Sequence, residues 1–142
     1  MTQIRIATSA ELEAVAALWA GHGGPSKRPG GLDDVRRLHA WDPEAIAVAS
    51  TDGEIRGAII VGFDGWRCHV YRLAVEPAHR RSGIATALVD HAIDRARRLG
   101  ATRIDAMIDK GNVGAIAFWE ARGLVRDKSD GRWSLLLDPG DA

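Results

Sequence analysis

The run Leu73-Ala74-Val75-Glu76-Pro77-Ala78-His79-Arg80-Arg81-Ser82-Gly83-Ile84-Ala85-Thr86-Ala87-Leu88 changes its hydrophobic period part-way along. Up to Val75 it reads as the end of a strand. Beyond Glu76-Pro77, Ile84, Leu88, Ala92 and Ala96 recur every four residues, while Asp90, Asp94, Arg95, Arg97 and Arg98 fall elsewhere. That is the pattern of an amphipathic helix, which Gly100 ends. A helix N-terminus exposes N–H groups without intrahelical partners and carries the positive end of the peptide dipoles. Phosphate oxygens suit such a place. Gly83 lets a ligand approach the backbone, the small Ala85 leaves the approach clear, and Arg80 and Arg81 add positive charge. Taken alone, the fragment reads equally well as a solvated helix cap. The chain has no Gly-x-x-x-x-Gly-Lys-Ser/Thr run and no Gly-x-Gly-x-x-Gly at this junction, which sets aside the P-loop and the dinucleotide fingerprint.

Upstream, Gln3 to Ala7 reads as a strand, and Thr8-Ser9-Ala10-Glu11 has the form of a capping box. A helix follows with Leu12, Val15, Ala16 and Trp19 on one face, stopping at Gly21. Gly21 to Gly31 holds five glycines and two prolines and reads as a loop. A shorter helix then uses Leu32, Val35 and Leu38. Three strands come next: Ala45 to Ser50, Ile55 to Gly62 and Trp66 to Val75, joined by turns at Asp52-Gly53 and Asp64-Gly65. Downstream of the long helix, Arg103 to Ile108 reads as a strand and Asn112 to Arg122 as a helix closed by Gly123. Leu124 to Lys128 and Arg132 to Leu137 suggest a final hairpin across Ser129-Asp130-Gly131. Hairpins in the middle plus one β-α-β crossover imply an α/β (α+β) domain with a mixed sheet and helices on both faces.

A length of 142 residues fits one domain, 1–142. With 19 basic and 19 acidic side chains, no bulk charge directs the chain to nucleic acid or to a membrane surface, so any anion site is local. The single Cys68 has no partner for a disulfide or a zinc site, which suggests a reducing compartment and no metal. There is neither a leader-like N-terminus nor an apolar run of about 18 residues, so the cytoplasm is the expected location.

The quoted run resembles motif A of the GNAT superfamily of N-acetyltransferases. A second family motif is matched by Asn112-Val113-Gly114-Ala115-Ile116-Ala117-Phe118-Trp119-Glu120-Ala121-Arg122-Gly123-Leu124. Two motifs in the right order and at the right distance are far more specific than either alone. The chain is most similar to the small bacterial branch related to ribosomal-protein alanine acetyltransferases. The resemblance implies a mostly antiparallel twisted sheet of about six to seven strands flanked by about four helices. It also implies acetyl-CoA as co-substrate. Main-chain groups of Leu73, Ala74 and Val75 would pair with the pantetheine arm, and an N–H there would polarise the thioester carbonyl. Arg80 supplies charge, the amides of Arg81, Ser82, Gly83, Ile84, Ala85 and Thr86 would cradle the pyrophosphate, and Asn112 would touch the cofactor near its pantetheine end.

The acid and base depart from the family pattern. Relatives often carry Tyr, as general acid, where this chain has Trp119, and some carry a Glu base where it has Met107; neither residue can move a proton. The catalytic residues are therefore unassigned. Tyr71 is a candidate donor and His69, alternating with it onto the same face, a candidate base. Asp105 and Asp109 flank Met107 at strand period. Each has a plain alternative as ordinary strand or strand-end structure. The acceptor is expected to be an amine, of a protein terminus or a small molecule, acetylated by direct transfer. The loop Gly21–Gly31 and the last hairpin are candidate recognition segments. A weakened acyl-CoA-binding or sensing module is the alternative, favoured by Trp119 and Met107. A homodimer is left open.

Overall fold

The computed structural model describes residues 2–22, 31–108, 113–127 and 135. Two units are described separately, Met1–Met107 and Ile108–Ala142.

In the first unit the elements run β1 (Thr2–Ile6), α1 (Leu12–His22), α2 (Leu32–Trp41), β2 (Ile46–Thr51), β3 (Glu54–Phe63), β4 (Cys68–Val75), α3 (Ile84–Arg98) and β5 (Ile104–Ala106). The five strands form one sheet in the order β1-β2-β3-β4-β5; the first four pair antiparallel, and β5 joins β4 in parallel. Among the described residues the strands number five, against the six to seven expected. Leu124 to Asp127 take no strand conformation, and the rest of the expected last hairpin lies outside the described residues apart from Leu135.

Local chemistry sets the connections. The β2–β3 turn places Asp52 and Gly53 at φ 53° and 81°, the left-handed pair that a two-residue hairpin needs. Asp64 Oδ1 accepts the N–H groups of Trp66 and Arg67, both at 2.8 Å, and this closes the β3–β4 turn. Those bonds hold Trp66 and Arg67 in the turn, so β4 begins at Cys68 rather than at Trp66. They also hold the Asp64 carboxyl below its ordinary value, the Arg67 bond first. The expected stop at Gly100 is a Schellman motif: Gly100 N–H bonds Arg97 O at 3.1 Å and Ala101 N–H bonds Ala96 O at 2.9 Å.

Alternation along the strands divides the core. Ile46, Val48, Ala58, Ile60 and Ala74 are buried together with Leu12, Val15, Leu18 and Trp19 of α1 and Val35 of α2. The intervening residues, among them Ile59, Val61, Val70 and Val75, face the other way, where Ile84, Leu88, Val89, Ala92 and Ala96 of α3 are buried. Each fully buried aliphatic side chain contributes about 1.5–3 kcal/mol. Gly57 sets how closely α3 approaches. A Cβ there would stand 3.0 Å from Ile84 Cγ2 and 3.2 Å from both Ala74 O and Leu88 Cδ1.

Arg95 corrects the amphipathic reading of α3. It is 5% exposed, donates to Val61 O, and forms a fork to the Asp42 carboxylate at 2.9 and 3.1 Å. It therefore ties α3 to β3 and to the residue that follows α2.

In the second unit α4 (Val113–Ala121) ends in a second Schellman motif. Gly123 N–H bonds Glu120 O at 3.0 Å and Leu124 N–H bonds Trp119 O at 3.1 Å. Trp119 is buried and meets Phe118 edge-on, with ring centroids 5.5 Å apart. Among the described residues, no helix is long and apolar enough to cross a membrane.

Candidate functional site

β4 parts from β5 at the place where it bulges against β3. On the β5 side pairing covers only Cys68, His69 and Val70, opposite Ile104, Asp105 and Ala106. Tyr71 to Val75 run on with no β5 partner among the described residues, so that edge of the strand is not used by the sheet there. On the β3 side Tyr71 pairs with Ile60 and Ala74 with Ala58, so Arg72 and Leu73 oppose the single residue Ile59. This is a β-bulge, and Arg72 pays for it with φ 57°. The strand is thus bent at the residue before Leu73.

The open edge leads through Glu76 and a 3-10 turn, Pro77–His79, to the start of α3. Glu76 is structural: its N–H bonds Arg56 O at 2.8 Å and its carboxylate takes Arg56 Nη1 at 2.9 Å. Arg80 Nε donates to Val75 O at 3.2 Å, tying the loop to the strand end. Arg81 and Gly83 are both left-handed, at φ 66° and 85°. No side chain caps α3, and the first helical N–H to reach a carbonyl is Ala87, bonding Gly83 O at 3.0 Å. The amides of Ile84, Ala85 and Thr86 are the donors left over by helix geometry. An added Cβ on Gly83 would meet nothing within 4 Å, so space is open there, and the positive φ is what demands glycine. Ser82 Oγ is turned away, donating to His79 O. Arg80 and Arg81 are exposed and form no ion pair among the described residues.

The candidate acid–base residues are brought only partly together. His69 and Tyr71 share a face as expected, and Asp105 lies opposite His69. His69 is half exposed, with Nε2 3.9 Å from Asp64 Oδ2 and Nδ1 3.9 Å from Asp105 Oδ2, both beyond hydrogen-bond range. Asp105 instead pairs with Arg103 at 2.9 Å. Burial pushes the Tyr71 phenol above its ordinary value, although the side chain is 46% exposed. β5 stops at Ala106, short of the Met107 position, and Met107 is exposed. Asp109 and Asn112 lie outside the described residues, as does 23–30 of the glycine-rich loop. Cys68 is buried, and that burial pushes its thiol up, which leaves it a poor nucleophile. Trp41 and Trp66 are exposed, and Trp66 lies 4.3 Å beneath the Arg67 guanidinium.

Residues 14–124 match the acetyltransferase (GNAT) family. The chain belongs to that family. An acetyltransferase of Pectobacterium atrosepticum is 34% identical over 120 residues, which cover 83% of this chain and 84% of that protein. Among solved structures, the putative acetyltransferase yncA of Salmonella typhimurium, determined with its cofactor acetyl-CoA, superimposes with a TM-score of 0.74 at 23% identity. That match covers 86% of this chain and 78% of the other. The ribosomal-protein-S18-alanine N-acetyltransferase of Escherichia coli gives 0.70 at 20% identity, over 87% and 77%. At such identities the likeness shows a shared fold.

Two features of the site escaped the sequence. Arg72 carries no signal for a left-handed bulge, since that conformation comes from how β4 meets its neighbours. Gly57 did carry one: a glycine inside an otherwise branched strand marks a close backbone approach.

Proposed function

We propose that this GNAT-family chain binds acetyl-CoA along the open edge of β4 and transfers the acetyl group directly to an amine. The observation that carries the reading is the release of Tyr71–Val75 from β5, one turn of chain before the uncapped start of α3. The donor set suits the ligand. The pantetheine arm has amides that need extended main-chain partners, which Leu73, Ala74 and Val75 supply. The pyrophosphate needs converging N–H donors, which Arg81 to Thr86 supply, with Arg80 and Arg81 adding charge. Asn112 takes its role near the pantetheine end from the family motif.

Bound there, acetyl-CoA supplies an activated thioester: the amine lone pair forms the C–N bond as the C–S bond breaks, and sulfur leaves with the electron pair as a thiolate. The chain's own part is positioning, exclusion of water and a main-chain N–H toward the carbonyl oxygen. The amine proton passes to solvent, with Tyr71 or His69 as the nearby groups able to relay it. A sensing module is the second reading. It is favoured by Trp119 and Met107, which by the family resemblance stand where relatives often carry a Tyr acid and some carry a Glu base.

The test is amide hydrogen exchange with and without acetyl-CoA. Protection of about tenfold or more is expected at Leu73–Val75 and Arg81–Thr86. Protection confined to β1 and β2 would overturn the site.

A further inference from the structure

Glu76 follows β4 and opens the loop whose amides cradle the pyrophosphate under the proposed function. Its Oε2 accepts Arg56 Nη1 of β3 at 2.9 Å, and His79 Nδ1 stands 3.7 Å from that same oxygen. Arg56 Nη2 in turn pairs with Glu54 at 2.6 Å. The loop is anchored to this group through its backbone as well. Glu76 N–H bonds Arg56 O at 2.8 Å, His79 N–H bonds Glu76 O at 2.9 Å, and the His79 carbonyl accepts the Ser82 hydroxyl.

With a neutral imidazole the charges do not balance. Glu54 and Glu76 bring two negative charges and Arg56 one positive, so the trio carries one net negative charge beside a loop that suits an anion. The other charged side chains of the loop, Arg80 and Arg81, are exposed, and Arg80 Nε is taken up by the Val75 carbonyl at 3.2 Å. Neither Leu73 to Val75 of β4 nor Ile84 to Val89, the start of α3, holds an ionisable side chain. That leaves His79.

His79 Nδ1 is shut off from solvent and has no hydrogen-bond partner among the described residues. Carrying a lone pair, it faces a carboxylate oxygen with no proton between them, and the two repel. The neutral tautomer with its proton on Nδ1 removes the repulsion but leaves the net negative charge. Only the imidazolium removes both, with a charge-assisted hydrogen bond once the gap closes to about 2.8 Å. A histidine ring makes that change of charge between about pH 5 and pH 8.

We propose that His79 is a proton-linked positioning residue for acetyl-CoA, a reading that rests on the cofactor site proposed above. Binding of the pyrophosphate draws a proton onto the ring, and the imidazolium closes onto Glu76, cancels the negative charge and holds the loop against Arg56 and β3. Linkage is reciprocal: if the anion favours the protonated ring, the protonated ring favours the anion by the same factor. Cofactor affinity is therefore highest at low pH, where the ring is charged before binding, and falls as pH rises and the ring loses its proton.

Calorimetric titration with 3′-dephospho-coenzyme A, whose phosphates do not titrate in this range, keeps the ligand's own protons out of the count. Its Kd is expected to rise about fivefold from about pH 5.5 to about pH 8, the low end of ordinary coupling. Titrations in buffers of different ionisation enthalpy count the protons; uptake should peak at about 0.4 per ligand, as a fivefold linkage requires. His79→Gln is expected to abolish both effects. His79→Lys, whose charge is permanent over this range, should hold Kd within about twofold across it. A role in shape alone would alter the affinity of these variants without removing its pH dependence. If the variants fail to fold, the His79 ring resonances of the unaltered protein decide: they are expected to titrate at higher pH with ligand than without. Absence of proton uptake, an unmoved ring titration, or an unchanged pH dependence in folded His79→Gln overturns the proposal. Failure of acetyl-CoA to protect the Leu73–Val75 and Arg81–Thr86 amides would overturn the acetyl-transfer reading instead.

Discussion

The β1–β3 half of the sheet and the β4 edge are built on opposite terms. From Ala47 to Ala49, β2 pairs residue for residue with β1 and β3, and these three side chains are wholly buried. β4 holds its parallel neighbour for three residues, then bulges against β3 and continues with no β5 partner among the described residues. The first region satisfies its backbone internally. The second leaves one strand edge unused by the sheet, at the cost of left-handed Arg72 and Arg81. Residues in such sparsely populated conformations persist only where the surroundings over-determine them. Here those surroundings are the packed half-sheet and α3. The lesson is that the candidate site is made by withholding regular pairing from one strand of an otherwise regular sheet.

The comparison can be broken first from the scaffold side. Asp42→Ala leaves the Arg95 guanidinium buried with Val61 O as its one remaining partner among the described residues. Unpairing a buried charge costs several kcal/mol, and because Asp42 is itself partly exposed a loss of about 3 kcal/mol is expected in urea unfolding. Acetyl-CoA affinity should change less than twofold. A large drop in affinity with intact stability would show that scaffold and site are not separate. Replacing Asp42 and Arg95 together by apolar residues of similar volume should recover much of the loss.

Gly57→Ala acts where the two regions meet. The new Cβ stands 3.0–3.2 Å from Ile84, Leu88 and the Ala74 carbonyl, and the carbonyl belongs to β4 itself. Either α3 lifts or β4 shifts. Overpacking of this kind costs about 2 kcal/mol, and acetyl-CoA should bind at least fivefold more weakly, because the amides of Ile84 to Thr86 move with the helix. Calorimetric titration of the folded variant checks this, and unchanged binding would separate the helix start from the site.

The smallest effect belongs to the N-terminal edge, far in sequence from motif A. Glu11 receives a fork from Arg5 at 2.6 and 2.7 Å and the Thr8 N–H at 2.9 Å, and these hold its carboxyl down at about 2, the Arg5 bonds foremost. A depressed carboxyl stabilises the fold fully above its ordinary value of 4.5 and loses that contribution as pH falls toward about 2. Glu11→Gln should therefore cost about 1 kcal/mol at pH 7 and almost nothing at pH 2. Unfolding curves at the two pH values measure it. A constant difference would mean that the pair contributes through shape rather than charge.

Much of this was legible beforehand because it depends on short-range rules. The capping residues Thr8 and Glu11, the turns at Asp52-Gly53 and Asp64-Gly65, and the stops at Gly100 and Gly123 follow from what each residue's backbone tolerates. The four-residue period of Ile84, Leu88, Ala92 and Ala96 follows from helix geometry. Arg95 was misread for the same reason: a charged side chain in a helical pattern is normally solvated. Only the fold brings Asp42 and the Val61 carbonyl, 53 and 34 residues away, within its reach.

The sequence by itself determined the order of the elements from β1 to α4, the family and the strand–loop–helix motif that suits an anion. Those depend on local dihedral preference, on periodicity and on matching residues in order. Tertiary structure alone decided that β5 stops pairing at Val70, that Arg72 turns left-handed, that Gly57 spaces α3 from the sheet, and that Arg56 reaches the Glu76 carboxylate beside His79. Each of these depends on the distance between segments remote along the chain, and no local preference encodes such a distance until the packed sheet sets it.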